Sequence, residues 1–262
     1  MRKTNKIAVI VLFFAIIFGT EIASIPDSPA APIVIEAEPA ETEAEEPAEE
    51  PAEEPAEEPT EEPAEDASPE QAWPVWNGQP YAVLNNNVPE FDDLKVDDLK
   101  DTTEYYDDLD SLGRCGTCYA LLGKETMPTE PRGKIGMIKP SGWHTIKYDN
   151  IDGRYLYNRC HLIGYQLSGE NANEKNLITG TRYLNVEGML PFENEVADYI
   201  RTGRHVLYRV TPVFIGNDLV ATGVKMEAKS IEDDEIQFNV FCFNVQPGIK
   251  INYATGESEA EE

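Results

Sequence analysis

The chain has 262 residues, 49 acidic and 21 basic, with a formal net charge of −28 and 41% apolar side chains. That balance argues against binding a polyanion through bulk charge, while the apolar share suffices for one sizeable core. The acid is unevenly spread: residues 1–70 hold 19 acids against 3 bases, whereas residues 102–229 hold 16 against 15, so any polyanion contact must be local and metal-assisted.

In chain order, Arg2, Lys3 and Lys6 precede the apolar run "IAVIVLFFAIIFG" at Ile7 to Gly19. A basic start and a short apolar core predict a signal peptide or N-terminal anchor over 1–24; a spanning helix needs about 20 residues. Residues 25–71 are rich in Glu, Pro and Ala and repeat "AEEP". They offer little to bury and repel themselves, which predicts a disordered spacer. A single domain is expected over 72–256, followed by an acidic tail at 257–262.

Within that domain "WPVWNGQPYAVLNNNVPEF" reads as irregular structure with one short strand, and "TTEYYDDLDSLGRCGTCYALLG" as a helical turn and loop leading into a strand. "KIGMIKPSGWHTIKYD" and "YLYNRCHLIGYQL" read as two strands joined at Asp152-Gly153, a hairpin signal. A long loop follows. Asn185 to Gly203 then changes to helical period, with Met189, Leu190, Phe192, Val196 and Ile200 on one face and Pro191 near its start. "HVLYRVTPVFIG", "DLVATGVKMEAKS" and "IQFNVFCFNVQPG" predict an antiparallel meander. The expected class is α+β.

Three histidines occur: His144, His161 and His205. His161 stands out, because it ends a strand after Arg159 and precedes a loop dense in asparagine. The stretch "NRCHLIGYQLSGENANEKNLITGTRYLNVEGMLPFENEV", with "LGRCG", "MPTEPRG" and "KPSGW", resembles the DNA/RNA non-specific endonucleases, the ββα-metal (His-Me finger) nucleases. The likeness extends from about Tyr81 to Gly256. That family's signature is Asp-Arg-Gly-His at a strand end, then a helix with a metal-binding asparagine and a glutamate eight residues on. Here the residues are Asn158-Arg159-Cys160-His161, then Asn185 and Glu193, so Asn and Cys stand where the family has Asp and Gly.

The resemblance implies a ββα-metal core with a catalytic helix and cleavage of DNA, and of RNA too. It implies His161 as general base, Asn185 as ligand of one Mg²⁺ (Mn²⁺ substituting), and Glu193 holding the ion's waters. Arg159 would support the base and meet phosphate, Asn176 would orient His161 or the metal shell, and Arg132 and Arg182 are further phosphate candidates. The chemistry suits these types: hydrolysing a phosphodiester needs a base for water and a cation on the phosphate. A neutral amide oxygen is a hard ligand suited to Mg²⁺. On an ideal helix Glu193 lies about 80° round from Asn185. Each residue also has a plainer reading: Asn185 as a helix cap, Glu193 as solvated, the arginines as salt-bridge partners.

The expected location is extracellular or at a bacterial cell surface, with a tether through residues 7–19 and no stable protein partner. Cys115 and Cys118 have the spacing of a redox pair, so a thiol-disulfide oxidoreductase is an alternative, as is a non-catalytic nucleic-acid-binding module. A zinc site from Cys115, Cys118, Cys160 and His161 is a further possibility. Four cysteines in an exported chain favour at least one structural disulfide, with three pairings open.

Overall fold

The computed structural model describes residues 73–92 and 104–261. The leader and spacer expected at 1–71 lie outside them. Among the described residues no helix is long and apolar enough to cross a membrane.

Among the described residues there are ten strands: β1 (Tyr81–Val83), β2 (Glu104–Tyr106), β3 (Cys118–Leu122), β4 (Tyr157–His161), β5 (Leu177–Thr181), β6 (Val206–Val213), β7 (Gly223–Ser230), β8 (Gln237–Phe243), β9 (Ile249–Ile251) and β10 (Ser258–Ala260). Six make one sheet in the order β1-β8-β7-β6-β3-β2, while β4–β5 and β9–β10 are separate two-stranded ribbons. All pairings are antiparallel. The helices are the single turn α1 (Tyr165–Ser168) and α2 (Leu190–Ile200), the latter continuous with a π-helical turn over Leu184–Met189.

The meander β6–β7–β8 forms where the alternation predicts it. In β8 nearly every residue is buried, because both faces are covered. Phe238, Val240 and Cys242 join the main core, whereas Phe241 and Phe243 pack on Val213 with Trp73 against them. The main core lies between the sheet and α2, which contributes Val196, Ala197 and Ile200. Burying Val196 and Ile200 contributes about 1.5–3 kcal/mol each. Pro191 is the second residue of α2 and directly follows the π-turn; lacking an N–H, it cannot donate back into that turn.

The structure corrects three expectations. First, the turn at Asp152-Gly153 exists, with Gly153 and Arg154 at positive φ, but only the isolated bridge Lys147↔Tyr155 follows it. Gly136, Pro140 and Gly142 break the preceding run. The real partner of β4 is β5, registered His161↔Leu177 to Tyr157↔Thr181, inside the segment read as a long loop. Second, the expected helical turn near Glu104 is strand β2, followed by a tight turn. There the Asp110 carboxylate accepts from the backbone N–H groups of Leu112 and Arg114, each at 2.9 Å.

Third, all four cysteines are free and buried, so the expected disulfide is absent. Each sulfur has its own partner: Cys115 donates to the Leu177 carbonyl at 3.2 Å and Cys118 to the Lys175 carbonyl at 3.5 Å. Cys242 lies 3.5 Å from the Met226 thioether. These thiols fill core space.

Candidate active site

The β4–β5 ribbon, the π-turn and α2 bring the chemistry-bearing residues together. Alternation along β4 puts His161 and Arg159 on one face, with Asn158 and Cys160 on the other. The cysteine needs room, and β5 supplies it. A Cβ on Gly180 would lie 2.6 Å from the Cys160 Cβ, so only glycine leaves that space. Cys160 then reaches the π-turn, its Sγ 3.2 Å from Asn185 Oδ1 and 3.4 Å from Met189 Sδ.

His161 is buried, 6% exposed, and both ring nitrogens are engaged. Nδ1 is 3.1 Å from Arg132 Nη2, and Nε2 is 2.8 Å from the Asn171 carbonyl. A guanidinium only donates and a carbonyl only accepts. The ring proton therefore sits on Nε2, and Nδ1 keeps its lone pair. Burial pulls the imidazole pKa down to about 4; the Asn171 carbonyl opposes that and the Arg132 charge adds to it. The ring is neutral across the physiological range, which a base requires.

Asn176 is fully buried, but its side chain does not touch His161. It accepts from the Ile163 N–H at 2.8 Å and donates to the Ile163 carbonyl at 3.0 Å. It fixes the chain just after His161 and so holds the histidine through the backbone. Arg159 donates from Nε to the Ile138 carbonyl and from Nη2 to the Gly136 carbonyl at 2.8 Å. Its guanidinium also covers the Trp143 ring at 4.0 Å. These contacts staple the 132–143 loop, which carries Arg132, onto β4. Arg182 pairs with Asp152 at 2.9 Å.

Asn185 is not a helix cap. It lies in the π-turn, where the Leu190 N–H donates to its carbonyl five residues back. One π-turn absorbs an extra residue, so the eight-residue step to Glu193 acts like seven α-helical residues. That brings the two within about 20° of one face, closer than an ideal helix allows. Glu193 packs against Gly164, where a Cβ would meet its Oε2 at 2.7 Å. Burial pushes its carboxyl up to about 7, against the lowering effects of Gln166 and Arg132.

Asn185, Arg132, Arg159 and Arg182 line one cavity of about 470 Å³ with Asn158 and Tyr155. Arg132 thus joins it to the histidine. The Asn171 carbonyl went unseen in the sequence, because every residue type carries one. The Cys115-Cys118 pair shows none of the activation that redox chemistry needs. Burial pushes the Cys115 thiol up to about 12 and that of Cys118 higher still. Cys160 turns to Asn185 and Met189, away from that pair, and among the described residues no group of three His, Cys, Asp or Glu is arranged to hold a metal.

Residues 96–232 match the family model described as DNA/RNA non-specific endonuclease. Among solved structures, NucA from Streptococcus agalactiae with magnesium ion bound has a TM-score of 0.61 and 27% identity, covering 68% of this chain and 87% of that one. NucA with no metal bound gives 0.60 and 28%, covering 68% and 86%. The Sda1 nuclease with bound zinc ion gives 0.52 and 29%, covering 61% and 81%.

Proposed function

The chain belongs to the DNA/RNA non-specific endonuclease family, and from that premise we propose how it cleaves phosphodiester bonds: His161 is the general base for water, and Asn185 holds one divalent cation, Mg²⁺. The observation that carries the reading is the clamped imidazole. Its proton is fixed on Nε2 by the Asn171 carbonyl, and its basic Nδ1 faces Arg132, a residue of the cavity that Asn185 lines.

The donor set fits Mg²⁺. The contact of Asn185 Oδ1 is a weak thiol donor at 3.2 Å, which leaves an amide lone pair for a cation. A neutral oxygen with a carboxylate nearby suits an ion that keeps most of its waters; a structural zinc site would need a denser cluster. Glu193, whose carboxyl burial raises to about 7, would ionise beside a bound cation and could accept hydrogen bonds from its waters. The likeness to NucA, solved with a magnesium ion, supports the same choice.

When the diester enters, its anionic oxygens are stronger acceptors for Arg132 than imidazole is. Arg132 turns to them and releases Nδ1 to a water molecule. His161 takes the water's proton as the oxygen attacks phosphorus, and the bond to the 3′-oxygen breaks, that oxygen taking a proton from solvent. The products are 5′-phosphate and 3′-hydroxyl ends. A bound cation supplies positive charge against the phosphate and the leaving oxygen. Arg159 acts indirectly, by holding the loop that presents Arg132. The substrate is DNA, and RNA as well.

The basic start and apolar run at 7–19 support export, with residues 25–71 as a spacer carrying the domain at 72–256.

Plasmid nicking by the full chain tests the mechanism. Cleavage is expected with Mg²⁺ and none with EDTA, and His161→Ala should lose at least about a hundredfold, the usual worth of a general base. A His161→Ala protein of full activity removes the base assignment. Asn185→Ala should shift the midpoint of a Mg²⁺ titration upward, and an unmoved midpoint counts against ligation.

A further inference from the structure

The cavity beside Asn185 has a volume of about 470 Å³, within the range of pockets that take one small ligand, roughly 300–1,000 Å³. Arg132, Arg159 and Arg182 line it, and none of its lining residues is acidic. In a chain of net charge −28 that is a local reversal of sign, and it selects an anion.

Two of its donors are buried without an acceptor: Asn158 Nδ2 and Arg182 Nε. Leaving a donor in that state is costly, and a ligand bringing two acceptor oxygens removes the cost. The Arg182 guanidinium is meanwhile anchored through Nη2 on Asp152, so Nε is held in place. Asn158 stands where the resembled signature has aspartate. A carboxylate there would offer only acceptors and would repel phosphate; the amide makes the position a donor. Tyr155 adds an aromatic surface. It is 45% exposed, and the Lys147 ammonium sits 4.6 Å from its ring centroid. The ammonium lies over one face of the ring, and the face left open is a platform for a nucleobase.

We infer that this cavity binds the nucleotide next to the scissile phosphate. Asn158 Nδ2 and Arg182 Nε donate to its oxygens, and its base lies on Tyr155. The inference rests on the reading of His161 and Asn185 as the cleavage centre. It adds a substrate class: a base reaches Tyr155 only when unpaired and unstacked, so single strands are preferred over duplex.

The test uses the full chain with Mg²⁺ and three substrates. These are short oligo(dT), the same strand paired with oligo(dA), and methyl p-nitrophenyl phosphate, a diester with no flanking nucleotide. Wild type should show a higher kcat/KM on the single strand than on the duplex. Tyr155→Ala, at an exposed position that spares the core, and Asn158→Asp should each lower the ratio of kcat/KM on oligo(dT) to that on the small diester by about tenfold, the scale of one lost base stack. Equal rates on single strand and duplex, or a ratio unmoved in both variants, overturns the subsite. If wild type cleaves none of the three, the cleavage centre has been misread, and the subsite is judged by anisotropy of labelled oligo(dT) in EDTA. There Tyr155→Ala should bind about tenfold more weakly, and unchanged affinity overturns it.

Discussion

His161 and Glu193 are displaced from their ordinary pKa values in opposite directions, and the signs give opposite pH dependences. The imidazole is pulled from 6.5 to about 4 by burial, so between those values the unfolded chain binds a proton that the folded chain refuses. Stability therefore falls as pH drops from 6.5 to 4, by on the order of 3 kcal/mol. Glu193 is pushed from 4.5 to about 7, so its folded form holds a proton that the unfolded chain has lost. Its contribution is present below 4.5 and is lost as pH rises through 7. In metal-free buffer the two slopes offset each other, and single variants expose them. His161→Gln should gain on wild type as pH falls from 6.5 to 4, and Glu193→Gln should gain as pH rises from 4.5 to 7. Urea midpoints across that range measure both, and parallel curves for variant and wild type would refute the buried environments. For catalysis the depressed imidazole predicts that loss of the base by protonation begins only near pH 5, well below the ordinary histidine range.

At the level of elements, the β4–β5 ribbon is where this chain departs most from the signature it resembles, and Gly180 accommodates the departure. Placing a methyl group 2.6 Å from the Cys160 Cβ forces the strands apart. Gly180→Ala should cost about 1–3 kcal/mol by overpacking, and adding Cys160→Gly should recover much of it. A denaturation double-mutant cycle with no coupling would show that the two positions do not share the space. The ribbon was also the element the sequence hid best. β6, β7 and β8 announced themselves by alternation and turn residues, and α2 by its apolar stripe ending at Gly203. "LITGT" is five residues, and the asparagine-rich stretch before it marks a loop without showing which strand it pairs with. Its partner lies across a connection held by Asn176 and the Ile163 backbone, and pairing at that distance leaves no local pattern. The Asp152-Gly153 turn was legible, but the ladder it suggested fails on Gly136, Pro140 and Gly142. In the site, Arg159, His161, Asn185 and Glu193 were legible through their likeness to the family's motif. The Asn171 carbonyl was not, nor was the π-turn that realigns Asn185 with Glu193, since its sequence is compatible with ordinary helix.

For the whole molecule, the open question is how a chain of net charge −28 approaches a polyanion at all. The answer is local: three arginines line one acid-free cavity, and the acid is concentrated in the N-terminal 70 residues and at the edges of the domain. Such an arrangement has a signature in salt. Each neutralised phosphate contributes about −0.9 to the slope of log affinity against log salt on duplex DNA, so Arg132 and Arg182 on phosphate, with Arg159 held on backbone carbonyls, give a slope of about −2. At low ionic strength the screening length grows from about 10 Å at 0.1 M to about 30 Å at 0.01 M. The acidic bulk of the chain then repels the substrate before the arginines can engage it. The expected plot of log kcat/KM on plasmid, at saturating Mg²⁺, is therefore shallow near physiological salt and flattens or turns over as salt is withdrawn. Arg182→Gln should reduce the slope by about one. A slope near −6 that continues unbroken to low salt would mean that many more phosphates are held elsewhere on the surface, and the cavity could not then be the principal contact.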